Sequence, residues 1–463
     1  MNPARSRAWR RVRASVSAPH VDPAPAEVVV TLPLASARGG FASAVSQLTV
    51  VNVVVMLCAI VTGPVTARTL GADGRGELAA ILAVLTVGPW LLDLGLGQWL
   101  ARERARGADR GGLLGAALPV ALCFSLISVV AAIPLANLIG DGRSVIVTFL
   151  EIGLFLMPFS VVLYMLSGLV VGESRWGLYS AARLVGSVLP VFVIVTLAAV
   201  GSLTVATAAA AYLVSGLLGS LLLLRVIRGV RHFSFSLRRS RTATSFGARS
   251  WLGQVAGTAN IRLDQVLMAG LVSSRELGLY AVAVTIGSVA FGLIQAVSAA
   301  LFPRVAEGDP ELAARACRVT VLIVTAASII LAVITPAMIP FVFGEEFRAA
   351  VPMVLILLVA SVPLAAAIVL SSALVAANDP GATMRAELVA LAITIPALII
   401  FLPGFGGQAA ALVSVVAYSV RVVIQLVAAR RAFSQPTRKF ILPERDDLGW
   451  LIAHARRLLA ARG

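Results

Sequence analysis

Twelve long, predominantly apolar stretches separated by short polar breaks constrain this chain more than any motif in it. They lie near 42–66, 77–100, 112–138, 145–171, 177–200 and 203–227, then, after a polar break, near 250–272, 278–302, 316–340, 350–376, 385–403 and 407–429. A helix needs roughly 20 such residues to cross about 30 Å of hydrocarbon. Lipid offers no hydrogen bonds to the backbone, so a spanning segment must satisfy its own N–H and C=O groups, as a helix does. The expectation is an all-α, polytopic membrane protein with about twelve transmembrane helices. The run at 250–272 fits least well, because it carries Asn260, Arg262 and Asp264.

Composition agrees and excludes a water-soluble enzyme. The chain is 59% apolar and only 13% charged, where soluble domains hold about 25% charged residues. Its formal net charge of +16 would suit nucleic acid in a polar chain. Here it reports membrane orientation, and no basic segment is interleaved with aromatics that would stack on bases. Of the Lys and Arg residues, thirty fall in one alternate set of connections and tails, including the 101–111 loop and the 225–249 region. Only Arg68, Arg75, Arg143, Arg275 and Arg348 fall in the other set. The positive-inside bias then places both termini in the cytoplasm of a multi-pass cell-membrane protein.

This divides the chain into a basic, disordered cytoplasmic tail (1–41), a six-helix lobe (42–227), a basic cytoplasmic linker (228–250), a second six-helix lobe (251–429) and a cytoplasmic tail (430–463). In that last tail Leu448, Leu451, Ile452, Ala455 and Leu459 share one helical face, which suits a helix lying on the membrane. The loops of the opposite face are too short to house a catalytic domain, so the chain reads as a non-enzyme. Cys58, Cys123 and Cys317 are scattered and the three histidines share no ligand spacing, so neither a metal site nor a disulfide framework is expected. No phosphate-binding G-x-x-x-x-G-K-[ST] loop is present either, and no cofactor is implied.

The two sets of six resemble one another weakly. Leu70 to Ala79 can be laid over Val272 to Ala281, each a turn ending in a glycine that opens the next helix. Val171-Gly172-Glu173-Ser174 likewise corresponds to Ala376-Ala377-Asn378-Asp379. The segment Ala67-Arg68-Thr69-Leu70-Gly71-Ala72-Asp73-Gly74-Arg75-Gly76 resembles the R-x-L-G-x-x-x-x-G turn of bacterial oligosaccharide-lipid flippases. Leu263-Asp264-Gln265 with Glu276 to Tyr280, Phe302-Pro303-Arg304, Phe343 to Phe347, and Gly404 to Ala411 fall where similar pieces follow in that family. The resemblance implies the multidrug/oligosaccharidyl-lipid/polysaccharide exporter superfamily, in which two pseudo-symmetric six-helix lobes rock about a central cavity. It implies a lipid-linked oligosaccharide as cargo, with a cation-coupled multidrug exporter or a lipid II flippase as rivals and a membrane-embedded glycan-processing enzyme as a remote alternative.

Charges inside the spans mark the candidate sites. An ionised side chain at the bilayer centre costs roughly 2.5–3.5 kcal/mol on insertion scales, so each needs a partner or water. Arg262 lies about mid-span, and Asp264 points the other way around the helix; one can line a cavity while the other fixes packing. Arg183 and Arg421 are further candidates to bind substrate, with snorkelling or a packed ion pair as their alternatives. Arg68 stands at the outer mouth. Asp93 and Glu151 are the candidates for a coupling proton or sodium ion, against plain capping or interfacial solvation. Arginine suits a diphosphate cargo because its guanidinium stays charged and binds phosphate oxygens in pairs.

Overall fold

A computed structural model describes residues 38–449 apart from 141, 231, 306–309, 378, 443, 445, 446 and 448. The basic tail (1–37) and nearly all of the amphipathic segment at 446–463 lie outside the described residues. Those that are described form helices and turns, with no strand.

In chain order the long helices of the first half are α1 (Arg38–Leu92), α2 (Leu96–Ala105), α3 (Arg110–Gly140), α4 (Ser144–Phe155), α5 (Met157–Gly172), α6 (Trp176–Ala199) and α7 (Val205–Leu221). The second half holds α8 (Leu237–Leu271), α9 (Ser274–Val305), α10 (Pro310–Phe343), α11 (Val351–Ala376), α12 (Pro380–Phe433) and the short α13 (Arg438–Ile441). Helices α1 and α12 each contain two passes. Their backbones reverse at Gly71 (φ 69°) and Gly406 (φ 54°), a left-handed geometry that glycine alone adopts without strain. Helices α4 and α5 make one pass bent by 56°, where Pro158 near the start of α5 has no N–H to continue the ladder. With α3, α6, α7, α10 and α11 as single passes and the more polar α8 and α9, this gives the twelve passes expected from the apolar runs.

Some boundaries moved for local reasons. The second apolar run is broken at 93–95, where Leu94 and Gly95 take positive φ and Asp93 accepts the Gly97 N–H at 3.1 Å. The seventh pass starts thirteen residues before the apolar run does: Ser236 caps α8 by accepting the Arg239 N–H. The first turns of α8 lie on the first half, and Ser240 Oγ donates to the Ala116 carbonyl at 2.9 Å.

The halves meet along one seam. Starting at the turns and running inward, Gly76 abuts Ser274, Gly63 abuts Thr285 and Gly292 abuts Met56, so the first pass of α1 and α9 run antiparallel in contact. At the turn end the approach is backbone on backbone: a Cβ on Gly278 would overlap the Ala72 carbonyl. Arg143 donates to Ser274 Oγ across this end. At the far end Gly95 packs on Gly247, and Trp251 Nε1 donates to the Leu91 carbonyl at 2.8 Å.

A strap after α12 closes one end of the second half. Phe440 is fully buried in a cluster with residues of α10, α11 and α12, among them Ala314, Cys317, Leu374 and Ala429. Arg318 of α10 grips it: Nε and Nη2 donate to Asp447 at 2.7 and 2.9 Å, and Nη1 to the Lys439 carbonyl at 2.5 Å. Burial pushes the Asp447 carboxyl up, but the hydrogen bonds from Arg318 and the Glu444 N–H outweigh it, and the group is held below the usual carboxylate range. The sign follows: this stabilisation is present above the unfolded value of about 3.9 and is lost as pH falls through the lowered native one. Breaking a buried pair by removing one partner costs on the order of 3 kcal/mol. Asp447→Ala should therefore lower the melting temperature at pH 7 and raise maleimide labelling of buried Cys317 in a Cys58→Ser/Cys123→Ser background; unchanged labelling would show that the strap does not cover α10.

Candidate functional site

A buried polar cluster sits inside the second half. Glu387 and Arg421, on the two passes of α12, form an ion pair at 2.6 Å with both side chains buried. Asn260 of α8 donates through Nδ2 to the Glu387 carboxylate and carbonyl, each at 3.0 Å. Tyr418 Oη donates to the Asn260 carbonyl at 3.1 Å. Ser371 of α11 accepts from Arg421 at 3.2 Å and from Gln425 at 2.8 Å. Four passes are thereby tied at one depth. Arg421 is thus committed to a carboxylate, the packed-pair alternative for that residue, and its charge is already neutralised.

One turn further along α8 the arrangement changes. Asp264 is half-buried and accepts the Tyr280 hydroxyl from α9 and the Gln265 N–H, the latter at 2.7 Å. Arg262 lies near enough to attract that carboxylate, yet its own side chain is exposed and makes no salt bridge among the described residues. Of the two, Arg262 is exposed and Asp264 half-buried against α9. In the first half, Arg183 of α6 donates to Asn52 Oδ1 of α1 at 2.9 Å and lies 6.0 Å from the Tyr179 ring. It too has no carboxylate partner among the described residues.

The remaining candidates are placed differently. Arg68 reaches across the seam and donates to the Val342 carbonyl at 2.8 Å and to the Phe341 carbonyl, at the C-terminal end of α10. There it satisfies carbonyls that the helix end leaves free and offsets the negative end of the helix dipole. Asp93 is buried and caps the entrance to α2, as described above. Glu151 of α4 is half-buried, and neither lies in the second-half cluster. No group of three His, Cys, Asp or Glu gathers among the described residues.

Sequence reading overlooked Glu387, Asn52, Tyr280 and Tyr418. A usable signal existed for Glu387: it and Arg421 lie at comparable distances on either side of the Gly406 reversal, which carries them to similar depth. Tyr280 ended a segment read as a family resemblance and not as a site, and nothing local marked Asn52 or Tyr418, because single polar residues in apolar helices gain meaning only from the helix packed beside them.

Twelve helical passes in two halves, joined along α1 and α9 and carrying ionised groups within the passes, define a transporter of the flippase and exporter class. The profile of a family described as "Polysaccharide biosynthesis protein" matches residues 41–308. This is more than half of the chain, which belongs to that family within the multidrug/oligosaccharidyl-lipid/polysaccharide exporter superfamily. No curated protein matches the sequence. Among solved structures the fold is similar to "Lipid II flippase MurJ, inward closed conformation", with a TM-score of 0.70 at 12% identity, covering 83% of this chain and 88% of that one. An inward-facing multidrug resistance MATE family transporter of the MOP superfamily gives 0.65 at 15% identity, covering 83% and 98%. The MATE multidrug transporter DinF-BH gives 0.60 at 16%, covering 89% and 99%.

The cluster around Glu387 makes a sharp expectation. Glu387→Met and Arg421→Met should each destabilise the protein by roughly 3 kcal/mol, because each strands a buried charge, while the double substitution recovers most of the loss. Thermal unfolding in detergent of the four proteins measures this; additive losses would mean that the pair is not coupled.

Proposed function

We propose that this protein is a flippase that carries a polyprenyl-diphosphate-linked oligosaccharide from the cytoplasmic to the outer leaflet, for cell-surface polysaccharide biosynthesis. The observation that carries the reading is Arg262: an exposed guanidinium far inside a membrane pass, without a salt bridge among the described residues. A charge is tolerated there when it faces water or an anionic ligand. Arg183, whose hydrogen bond among the described residues goes to the neutral Asn52, supplies a second such charge from the other half. Membership of the polysaccharide biosynthesis family supports the class of cargo.

In this mechanism the two guanidinia bind phosphate oxygens of the head group as it passes between the halves, while the lipid tail stays in the bilayer. Asp264 is engaged by Tyr280 and makes no salt bridge with Arg262 among the described residues, so Arg262 keeps its charge for the cargo. Alternating access comes from opening the α1–α9 seam at one end while the other remains closed. With both termini cytoplasmic, moving two negative charges outward through an inside-negative potential releases about 4.6 kcal/mol per 100 mV. The potential can therefore drive transport, and Asp93 and Glu151 remain the candidates should a proton or sodium ion contribute.

The test is flipping of fluorescent lipid-diphosphate sugars in proteoliposomes. Arg262→Ala should slow it roughly tenfold or more, the loss expected when a hydrogen-bonded charge of about 1.5–3 kcal/mol is removed, and Arg183→Ala should act in the same direction. Wild-type rates in both variants would remove these arginines from the passage. Dye efflux without lipid movement would replace the reading with a multidrug exporter.

A further inference from the structure

The basic segment that opens α8 has a face that transport, as proposed above, does not use. Arg238, Arg241, Thr242 and Ser245 recur at helical spacing, so they share one side of the helix. They and Leu237 line a shallow concavity of about 520 Å³. Both arginines are exposed, and neither forms a salt bridge among the described residues. The opposite side of the same turns is fixed. Ser240 is bonded to Ala116, Arg102 stacks 4.6 Å over the Phe246 ring, and Gly247 lies against Gly95. The charges are therefore displayed on a rigid backing.

We infer that this face binds the phosphate head group of an anionic phospholipid at the membrane surface. Three observations point to a lipid. First, the start of α8 is held against the start of the apolar run of α3: Ser234 lies against Gly115 and Ser240 is bonded to Ala116, at the membrane boundary of that pass. The first turns of α8 therefore reach head-group level. Second, Phe233, Phe235 and Leu237, immediately before and at the helix start, are each more than half exposed. Large apolar side chains beside arginines are the composition of an interfacial anchor, with the rings among the upper acyl chains and the charges among phosphates. Third, the hydroxyls of Thr242 and Ser245 donate to the Arg238 and Thr242 carbonyls at 3.0 and 3.1 Å. Their hydrogens are used within the helix, which leaves recognition to the guanidinia and makes it charge-dependent.

Binding is read directly, without transport. The full chain in neutral detergent is titrated with dioctanoyl phosphatidylglycerol or dioctanoyl phosphatidylcholine, and bound lipid is counted by native mass spectrometry. Wild type should retain phosphatidylglycerol and not phosphatidylcholine. Arg238→Ala/Arg241→Ala should weaken retention roughly tenfold or more, given about 1 kcal/mol for each arginine near anionic lipid. Arg430→Ala/Arg431→Ala, which removes the same charge from an exposed site on α12, should leave it unchanged. Arg241→Gln alone gives a milder version if the double variant does not purify. Equal losses from the two double variants would reduce the effect to net charge and overturn the site, as would undiminished binding in Arg238→Ala/Arg241→Ala. Displacement of the lipid by millimolar inorganic phosphate would assign the face to free phosphate instead.

Discussion

The contact on which the rest of this architecture depends is the seam between α1 and α9. Two helices approach backbone to backbone only where side chains are absent, and small residues provide that surface within a membrane, where no hydrophobic force drives helices together. Gly76, Ala72 and Gly278 supply it at one end, while Gly63 and Gly292 thin the contact further along. Because close packing is so sensitive to added volume, the alternating access proposed above would take this seam from engaged to parted with few arrangements between. The second half then needs internal ties of its own to move as a body, and the Glu387–Arg421–Asn260 cluster and the Arg318–Asp447 strap provide two, at different depths.

Seen from the low-dielectric interior, the charges within the passes sort by what already satisfies them. Glu387 and Arg421 answer each other, and Asp93 is answered by a backbone N–H. Arg68 is spent on the carbonyls that end α10. Among the candidate site residues described, Arg262 and Arg183 are the guanidinia that have no carboxylate partner and lie well inside their passes, one in each half. That distribution places structural pairing in the second-half core and leaves unpaired the cationic groups that the proposed function assigns to an anionic cargo.

Much of the architecture was legible before any coordinates. The apolar runs fixed the number of passes because length and hydropathy are properties of single segments, and alternation of arginine-rich connections checked the count. Gly71 and Gly406 fall in the short breaks between apolar runs, and there the backbone leaves the helix with positive φ. What escaped were relations between segments. The start of α8 was read as a linker because its residues are polar, whereas its helical form rests on the Ser236 cap and on packing against α3. Arg421 was readable as a buried charge, but its partner depends on how α12 folds back on itself. For Arg68, read as a residue of the outer mouth, the sequence could not show that the carbonyls ending α10 lie beside it.

One helix belongs to both halves. The early turns of α8 are bonded to α1 and α3 through Trp251 and Ser240, and its later turns are bonded to α12 and α9 through Asn260 and Asp264. Any rotation of one half against the other must therefore be absorbed in the short stretch between Trp251 and Asn260, which contains Gly253 and Gly257. This helix is an axle clamped at both ends, and in the proposed mechanism those two glycines are where it would twist.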